Sequence, residues 1–148
     1  MSGAVNVEPG ATLGGSGSIL RSASVTGGVF APGGMTLGRH LLVTNGVFRA
    51  VFGPGAATIL TMAHPDARVL LQDTRLEITR LPGLGQGGVL TLIHNPGGNP
   101  VEGQFDGLPE GEKFSLGGGL FQITYQGGAS GRDTVLTCFP AGTLLFLR

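Results

Sequence analysis

Glycine cuts this chain about once every five residues, 29 times in 148, against an ordinary usage of roughly 7%. That composition argues against long helices, because Gly in a helix interior costs about 1 kcal/mol relative to Ala. Disorder is excluded as well, because Val, Ile, Leu and Phe are plentiful. Short strands joined by tight turns remain, and the residues read that way. Ala4-Val5-Asn6-Val7 alternates and ends at Glu8-Pro9-Gly10; Ser24-Val25-Thr26 meets Gly27-Gly28; Val29-Phe30-Ala31 meets Pro32-Gly33-Gly34. Pro fixes φ and Gly permits φ > 0, which is the chemistry such turns need.

The spacing of these strands is near regular, as in a sandwich, barrel or solenoid. Over residues 1–52 the runs are too short for a large sandwich, and a solenoid is expected. Longer strands follow. Arg39–Thr44 and Val47–Phe52 flank Asn45-Gly46, the dipeptide that most favours a two-residue hairpin. Val69–Leu71 and Leu76–Ile78 bracket Gln72-Asp73-Thr74-Arg75, and Leu81-Pro82-Gly83 opens a loop. Val89–His94, Gly103-Gln104-Phe105, Lys113–Leu116, Leu120–Tyr125, Thr134–Phe139 and Leu144–Leu147 read as further strands. Asn95 to Pro100 is a loop, and at most one helical turn fits around Asp106 to Pro109. The chain is read as one all-β domain over 1–148 with no substantial helix.

Charge excludes some partners. Nine basic residues balance nine acidic ones, Lys113 is the only lysine, and charged residues make up 12% of the chain. A nucleic-acid surface needs a basic footprint, which is missing. No apolar run reaches the ~20 residues of a membrane helix, and residues 1–20 lack the pattern of a signal peptide. A chain so low in charge is expected to associate with itself or with a partner.

Two stretches resemble a known family. Val7-Glu8-Pro9-Gly10-Ala11-Thr12-Leu13-Gly14-Gly15-Ser16-Gly17-Ser18-Ile19, followed by Val29-Phe30-Ala31-Pro32-Gly33, resembles the passenger-associated repeat of autotransporters and related bacterial surface proteins. Leu90–Thr137 resembles the module that commonly ends such arrays. That likeness is carried by Leu92-Ile93-His94-Asn95, Val101-Glu102-Gly103-Gln104-Phe105, Leu108-Pro109-Glu110-Gly111, Phe121-Gln122-Ile123-Thr124-Tyr125 and Val135-Leu136-Thr137. The resemblance implies a right-handed parallel β-helix, an extracellular or cell-surface location, and a structural or adhesive role. It divides the chain into repeat-like rungs at 1–52, a terminal module at 53–137, and a strand at 138–148 that caps the solenoid or pairs with a neighbour. A repeat starting at residue 4 fits either a piece of a longer passenger or a stand-alone relative. The family's last turn reads Gly-Gly-Asp-Gly-Asn-Asp, whereas this chain has Gly127-Gly128-Ala129-Ser130-Gly131-Arg132-Asp133. Calcium needs six to eight oxygens; here one carboxylate is lost and a cation gained, so a plain turn is expected.

Candidate chemistry is sparse. Glu102, Asp106, Glu110 and Glu112 cluster, but residues four apart in a strand lie about 13 Å apart, beyond the roughly 5–9.5 Å that glycosidase pairs use. Solvated turn charges are the expectation. His40, His64 and His94 share no metal-ligand spacing and are expected to cap strands or loops. Ser16 lacks the Gly-x-Ser-x-Gly context of a nucleophile elbow, and no Lys follows Gly14-Gly15-Ser16-Gly17 to make it a phosphate loop. Cys138 is expected to be an inert core thiol. Sugar platforms use Trp or Tyr; the chain has no Trp, and Tyr125 shares the period-two face of Phe121 and Ile123.

The residues thus point to a structural, self-associating module without catalytic or metal residues and without a cofactor. A carbohydrate-binding or carbohydrate-active module, with a polysaccharide as partner, is the first alternative. A small metal-dependent enzyme using the histidines is the second.

Overall fold

The computed structural model describes residues 5–51, 59–79, 89–97, 99–116, 119–128 and 130–139. Within them the protein is all-β, with thirteen strands and no helix. The first strands are β1 (Val5–Val7), β2 (Thr12–Ile19), β3 (Ala23–Thr26), β4 (Val29–Leu37), β5 (Leu41–Thr44), β6 (Val47–Val51), β7 (Leu60–Met62) and β8 (Val69–Thr79).

These strands pair in parallel. Val5 lies beside Ala23, and Ala23 beside Leu41, a step of eighteen residues each time. The same step takes Val29 to Val47. One rung runs along three sides, with a step of seventeen residues on the second, from Thr12 to Val29. Val5–Val7, Thr12–Gly15 and Gly17–Ile19 pair respectively with Ala23–Val25, Val29–Pro32 and Met35–Leu37. The register slips between Gly15 and Gly17, which marks the corner between the second and third sides. The next step is longer: Leu41 pairs with Val69 and Val47 with Arg75. The Asp106–Pro109 stretch is turn and coil, with no helical hydrogen-bond ladder.

The long strand β8 joins the first side to the second, so the nine parallel strands form one nearly closed, barrel-like sheet. It bends at Asp73, whose φ is +49°. The sequence led us to expect two strands here; the chain runs through as one because β5 and β6 pair with its two halves in turn. β10 (Glu102–Phe105) completes the first side beyond β8.

Alternation decides which residues enter the interior. Strand β4 reads buried at Phe30, Met35 and Leu37, and β5 at Leu41 and Val43. Parallel register then stacks like on like: Val7, Val25, Val43 and Leu71 form one interior column. Phe30, Phe48, Phe105 and Tyr125 form a second, with ring centroids 5.5, 5.3 and 6.2 Å apart. Such aromatic pairs contribute about 0.5–1.5 kcal/mol each beyond their burial.

Asn45-Gly46 does not make a hairpin. β5 and β6 do not pair with each other but with β3 and β4 and with successive halves of β8, and the dipeptide turns the corner between the first and second sides. The left-handed conformation of Asn45 (φ +53°) serves that corner as well as it would serve a type I′ turn. Gly46 is required by proximity: a Cβ there would meet the Gly28 carbonyl oxygen, one step earlier in the stack, at 2.7 Å.

The end of the chain departs from the parallel arrangement expected throughout. β9 (Val89–Ile93), β11 (Lys113–Leu116), β12 (Gly119–Gly127) and β13 (Asp133–Phe139) form an antiparallel sheet in the order β11-β12-β13-β9. The connection from β12 to β13 is Gly128–Arg132, far too short for a parallel crossover. This sheet closes one end of the parallel unit. Beside its end, His94 forms a parallel bridge with Thr61 of β7, and Phe121, Ile123, Tyr125 and Leu136 enter the common core. The expected strand at Leu144–Leu147, the loop at Leu81–Gly83 and the 140–148 part of the tail lie outside the described residues.

Candidate functional site

Two regions have polar or hydrogen-bonding capacity that the core does not consume: the joint between the two sheets, and the edge at the opposite end.

The joint is built around Asp133. β13 places it at the start of the strand, 5% exposed, where its Oδ1 accepts from the Asn95 backbone N–H at 2.7 Å. Its Oδ2 lies 3.0 Å from His94 Nδ1. An ionised carboxylate only accepts, so in this contact His94 donates through Nδ1–H. The His94 side chain is 45% exposed. Ser130 Oγ donates at 3.2 Å to the Asn95 carbonyl and receives the Arg132 N–H at 3.1 Å. Fully buried Asn95 donates through Nδ2 to the Asn99 carbonyl at 2.8 Å. Asn99 in turn donates to the Asp66 carbonyl at 3.2 Å. The joint thus ties β9, β13 and the 64–67 turn together. Two buried oxygens, Asn95 Oδ1 and Thr134 Oγ1, have no protein donor.

A histidine oriented by a buried carboxylate is suited to taking up a proton at Nε2 or giving one ligand to a metal. Among the described residues, no cluster of three His, Cys, Asp or Glu side chains gathers as a metal site. Ser130 bonds the carboxylate side of the pair and not Nε2, so the three residues do not form a nucleophilic relay. In the Gly127–Asp133 turn the carboxylate faces inward and both its oxygens hold protein donors. The Arg132 guanidinium donates to the Ser130 carbonyl at 3.1 Å, and Ala129 lies outside the described residues.

The opposite end is an open edge. Among the described residues β1 pairs only with β3, and β2 only with β4. The Val5 N–H donates to the Ser22 carbonyl, and the carbonyls of Ala11 and Ile19 accept from Val29 and Gly38. Backbone groups alternate in direction along a strand, so Asn6, Thr12 and Ser18 turn their N–H and C=O outward. Edges of this kind recruit further strands unless charge or proline blocks them. Neither strand of this edge bears a charged side chain: β1 reads Val-Asn-Val and β2 Thr-Leu-Gly-Gly-Ser-Gly-Ser-Ile, with Glu8 on the turn between them. Leu20, directly after it, is 81% exposed.

The other residues singled out by sequence take separate roles. His40 Nδ1 accepts the Arg68 N–H and His64 Nδ1 accepts the Asp66 N–H, both at 3.0 Å; these two cap turns as expected. Glu102 lies 3.6 Å from Arg68. Glu110 accepts from the Tyr125 N–H at 2.7 Å and Thr124 Oγ1 at 2.6 Å. The Glu112 backbone closes a turn onto the Pro109 carbonyl. Asp106 stands at a corner beside Asp73. The four carboxylates therefore have four different settings. Ser16 sits on β2 at the register slip, and Cys138 lies on β13 opposite Phe121. Tyr125 is 7% exposed. Its hydroxyl donates to the Leu108 carbonyl at 2.7 Å and accepts the Phe105 N–H at 3.0 Å, so it is a core tie and not a sugar platform. Burial foremost, then the nearby Glu110 charge, raise its pKa to about 12 against the opposing effect of the Phe105 hydrogen bond. The His94–Asp133 pair was missed by sequence reasoning, because 39 residues separate its members and no local motif joins them.

No family model, curated protein or solved structure matches the chain.

Proposed function

We propose that this chain is a structural, self-associating module built on a right-handed parallel β-helix. It belongs, in this reading, to the autotransporter-like surface proteins its sequence resembles, and serves outside the cell as a scaffold or adhesive element without catalysis. The observation that carries the proposal is the uncharged open edge of β1 and β2. Among the described residues the β1 and β2 rung pairs on one side only, so the outward N–H and C=O groups of Asn6, Thr12 and Ser18 can take a further strand. The low charge of the whole chain favours the same outcome. The occupant proposed is a second copy, since an edge without charge offers no repulsion to its own image.

The test is solution mass by light scattering across a concentration series, for the wild type and for Asn6→Pro with Ser18→Lys. Both positions turn their backbone groups away from β3 and β4, so neither substitution removes an internal ladder bond. The wild type is expected to exceed the monomer mass and the variant to be monomeric with its thermal midpoint retained. A wild type that stays monomeric at every concentration refutes the proposal. Removing 140–148 separately tests whether the tail contributes to association.

A further inference from the structure

One corner of the stack carries a groove unrelated to the open edge. It measures about 390 Å³, within the roughly 300–1,000 Å³ of small-molecule sites. It is lined by Gly27, Gly28, Val29, Asn45, Gly46, Val47, Asp73, Arg75 and Asp106. These residues come from successive turns between the first and second sides, stacked at the roughly 4.8 Å spacing of neighbouring strands.

The corner column runs through left-handed backbone: Gly10 at φ +83°, Gly27 at +71°, Asn45 at +53°, Asp73 at +49° and Gly107 at +73°. Among the described residues, every other position with positive φ is glycine. Asn45 and Asp73 are the two exceptions, and both line the groove. Asn and Asp are the non-glycine residues that enter this conformation most readily, and at these two corners they also present polar side chains to the groove. The side chains of Asn45, Asp73 and Asp106 make no hydrogen bond or ion pair among the described residues.

We infer that this groove binds a neutral saccharide chain. Two carboxylates supply acceptors, Arg75 supplies a donor fork, and the Asn45 amide supplies both. That set matches hydroxyl groups, each of which donates and accepts. An anionic ligand would meet Asp73 and Asp106, a cation would meet Arg75, and a planar aromatic ligand would find no ring to stack on. Val29 and Val47 give the groove an apolar strip for the C–H face of a sugar ring. The inference does not depend on self-association.

The experiment is calorimetric titration of the full chain with cellohexaose, maltohexaose and chitohexaose, and with hexagalacturonate as the anionic comparator. At least one neutral hexasaccharide is expected to bind. Asn45→Gly with Asp73→Gly removes the two side chains and relaxes the backbone, so the variant should melt no lower than the wild type. Its affinity should fall about tenfold or more, the scale of losing hydrogen bonds to a charged group. Asp106→Ala should weaken binding in the same direction. Failure of all three neutral sugars to bind, tighter binding of hexagalacturonate, or unchanged affinity in the double variant overturns the inference.

Discussion

Tyr125→Phe is the substitution whose effect can be worked most directly from the structure. β10 is the last parallel strand of the first side, and Phe105 ends it. The Asp106 N–H bonds back to Thr74 of β8, so Phe105 turns its own N–H away from the sheet. The Tyr125 hydroxyl accepts that N–H and donates its own hydrogen bond to the Leu108 carbonyl. One phenol thus stands in for the missing next strand. Phe keeps the ring beside Phe105, at 6.2 Å between centroids, and deletes only the oxygen. The N–H of Phe105, a residue 1% exposed, is left without a partner, which costs about 1–3 kcal/mol. Loss of the second bond adds about 1 kcal/mol. A fall of about 2–4 kcal/mol is expected in denaturant unfolding, or about 6–13 °C in thermal midpoint. A loss below about 0.5 kcal/mol would refute the idea that the hydroxyl closes this edge.

The same hydroxyl gives a pH test. Its pKa is about 12 in the folded protein against an ordinary 10.0. Between those values the unfolded chain has lost the proton and the folded one keeps it. Stability must therefore fall as pH rises above about 10, and the loss is complete past about 12. A displacement of that size corresponds to at most about 2.7 kcal/mol. Tyr125 is the single tyrosine of a chain without tryptophan, so phenolate absorbance reports it alone. Tyr125→Phe should lack this share of the alkaline loss; an identical alkaline slope in both proteins would count against the assignment.

Other substitutions probe the remaining elements. Asp133→Ala strips the Asn95 N–H and His94 of their acceptor and should cost about 1–3 kcal/mol by chemical denaturation. Thr74→Val removes a buried hydroxyl 2.9 Å from the Val43 carbonyl and 3.0 Å from the Gln72 carbonyl, and should cost about 1 kcal/mol by the same assay. Phe48→Ala empties the centre of the aromatic column and should cost about 3–5 kcal/mol, with a matching drop in thermal midpoint.

The fold was legible where it depends on neighbours in sequence. Alternation in Val29-Phe30-Ala31 and Leu41-Leu42-Val43 marks half-buried strands, and the Pro-Gly and Gly-Gly steps mark the corners between them. Pairing direction was not legible, because a period of two is the same in parallel and antiparallel sheets. For that reason Leu120–Tyr125 and Thr134–Phe139 were found as strands, while their antiparallel pairing was not expected. Asn45-Gly46 misled for a related reason. The dipeptide specifies a left-handed turn, and whether the flanking strands then pair with each other is decided by partners 18 and 28 residues away. The His94–Asp133 joint follows from the docking of two sheets, which no local pattern encodes.

The two ends of the parallel unit differ, and that difference constrains any assembly. At one end the bridge of His94 with Thr61 and the Tyr125 hydroxyl occupy backbone positions that a next rung would use. At the other, Asn6, Thr12 and Ser18 leave theirs open. A head-to-tail filament needs a free edge at both ends, so association through these edges must join two open ends. Two identical edges facing each other run antiparallel and close as a two-fold pair. Under the proposed function, rising concentration should therefore carry the wild type from monomer to dimer and stop there. A ladder of higher masses that survives removal of 140–148 would mean that the antiparallel sheet does not seal its end. The β1 and β2 edge would then pair head to tail with that other end, and not with its own image.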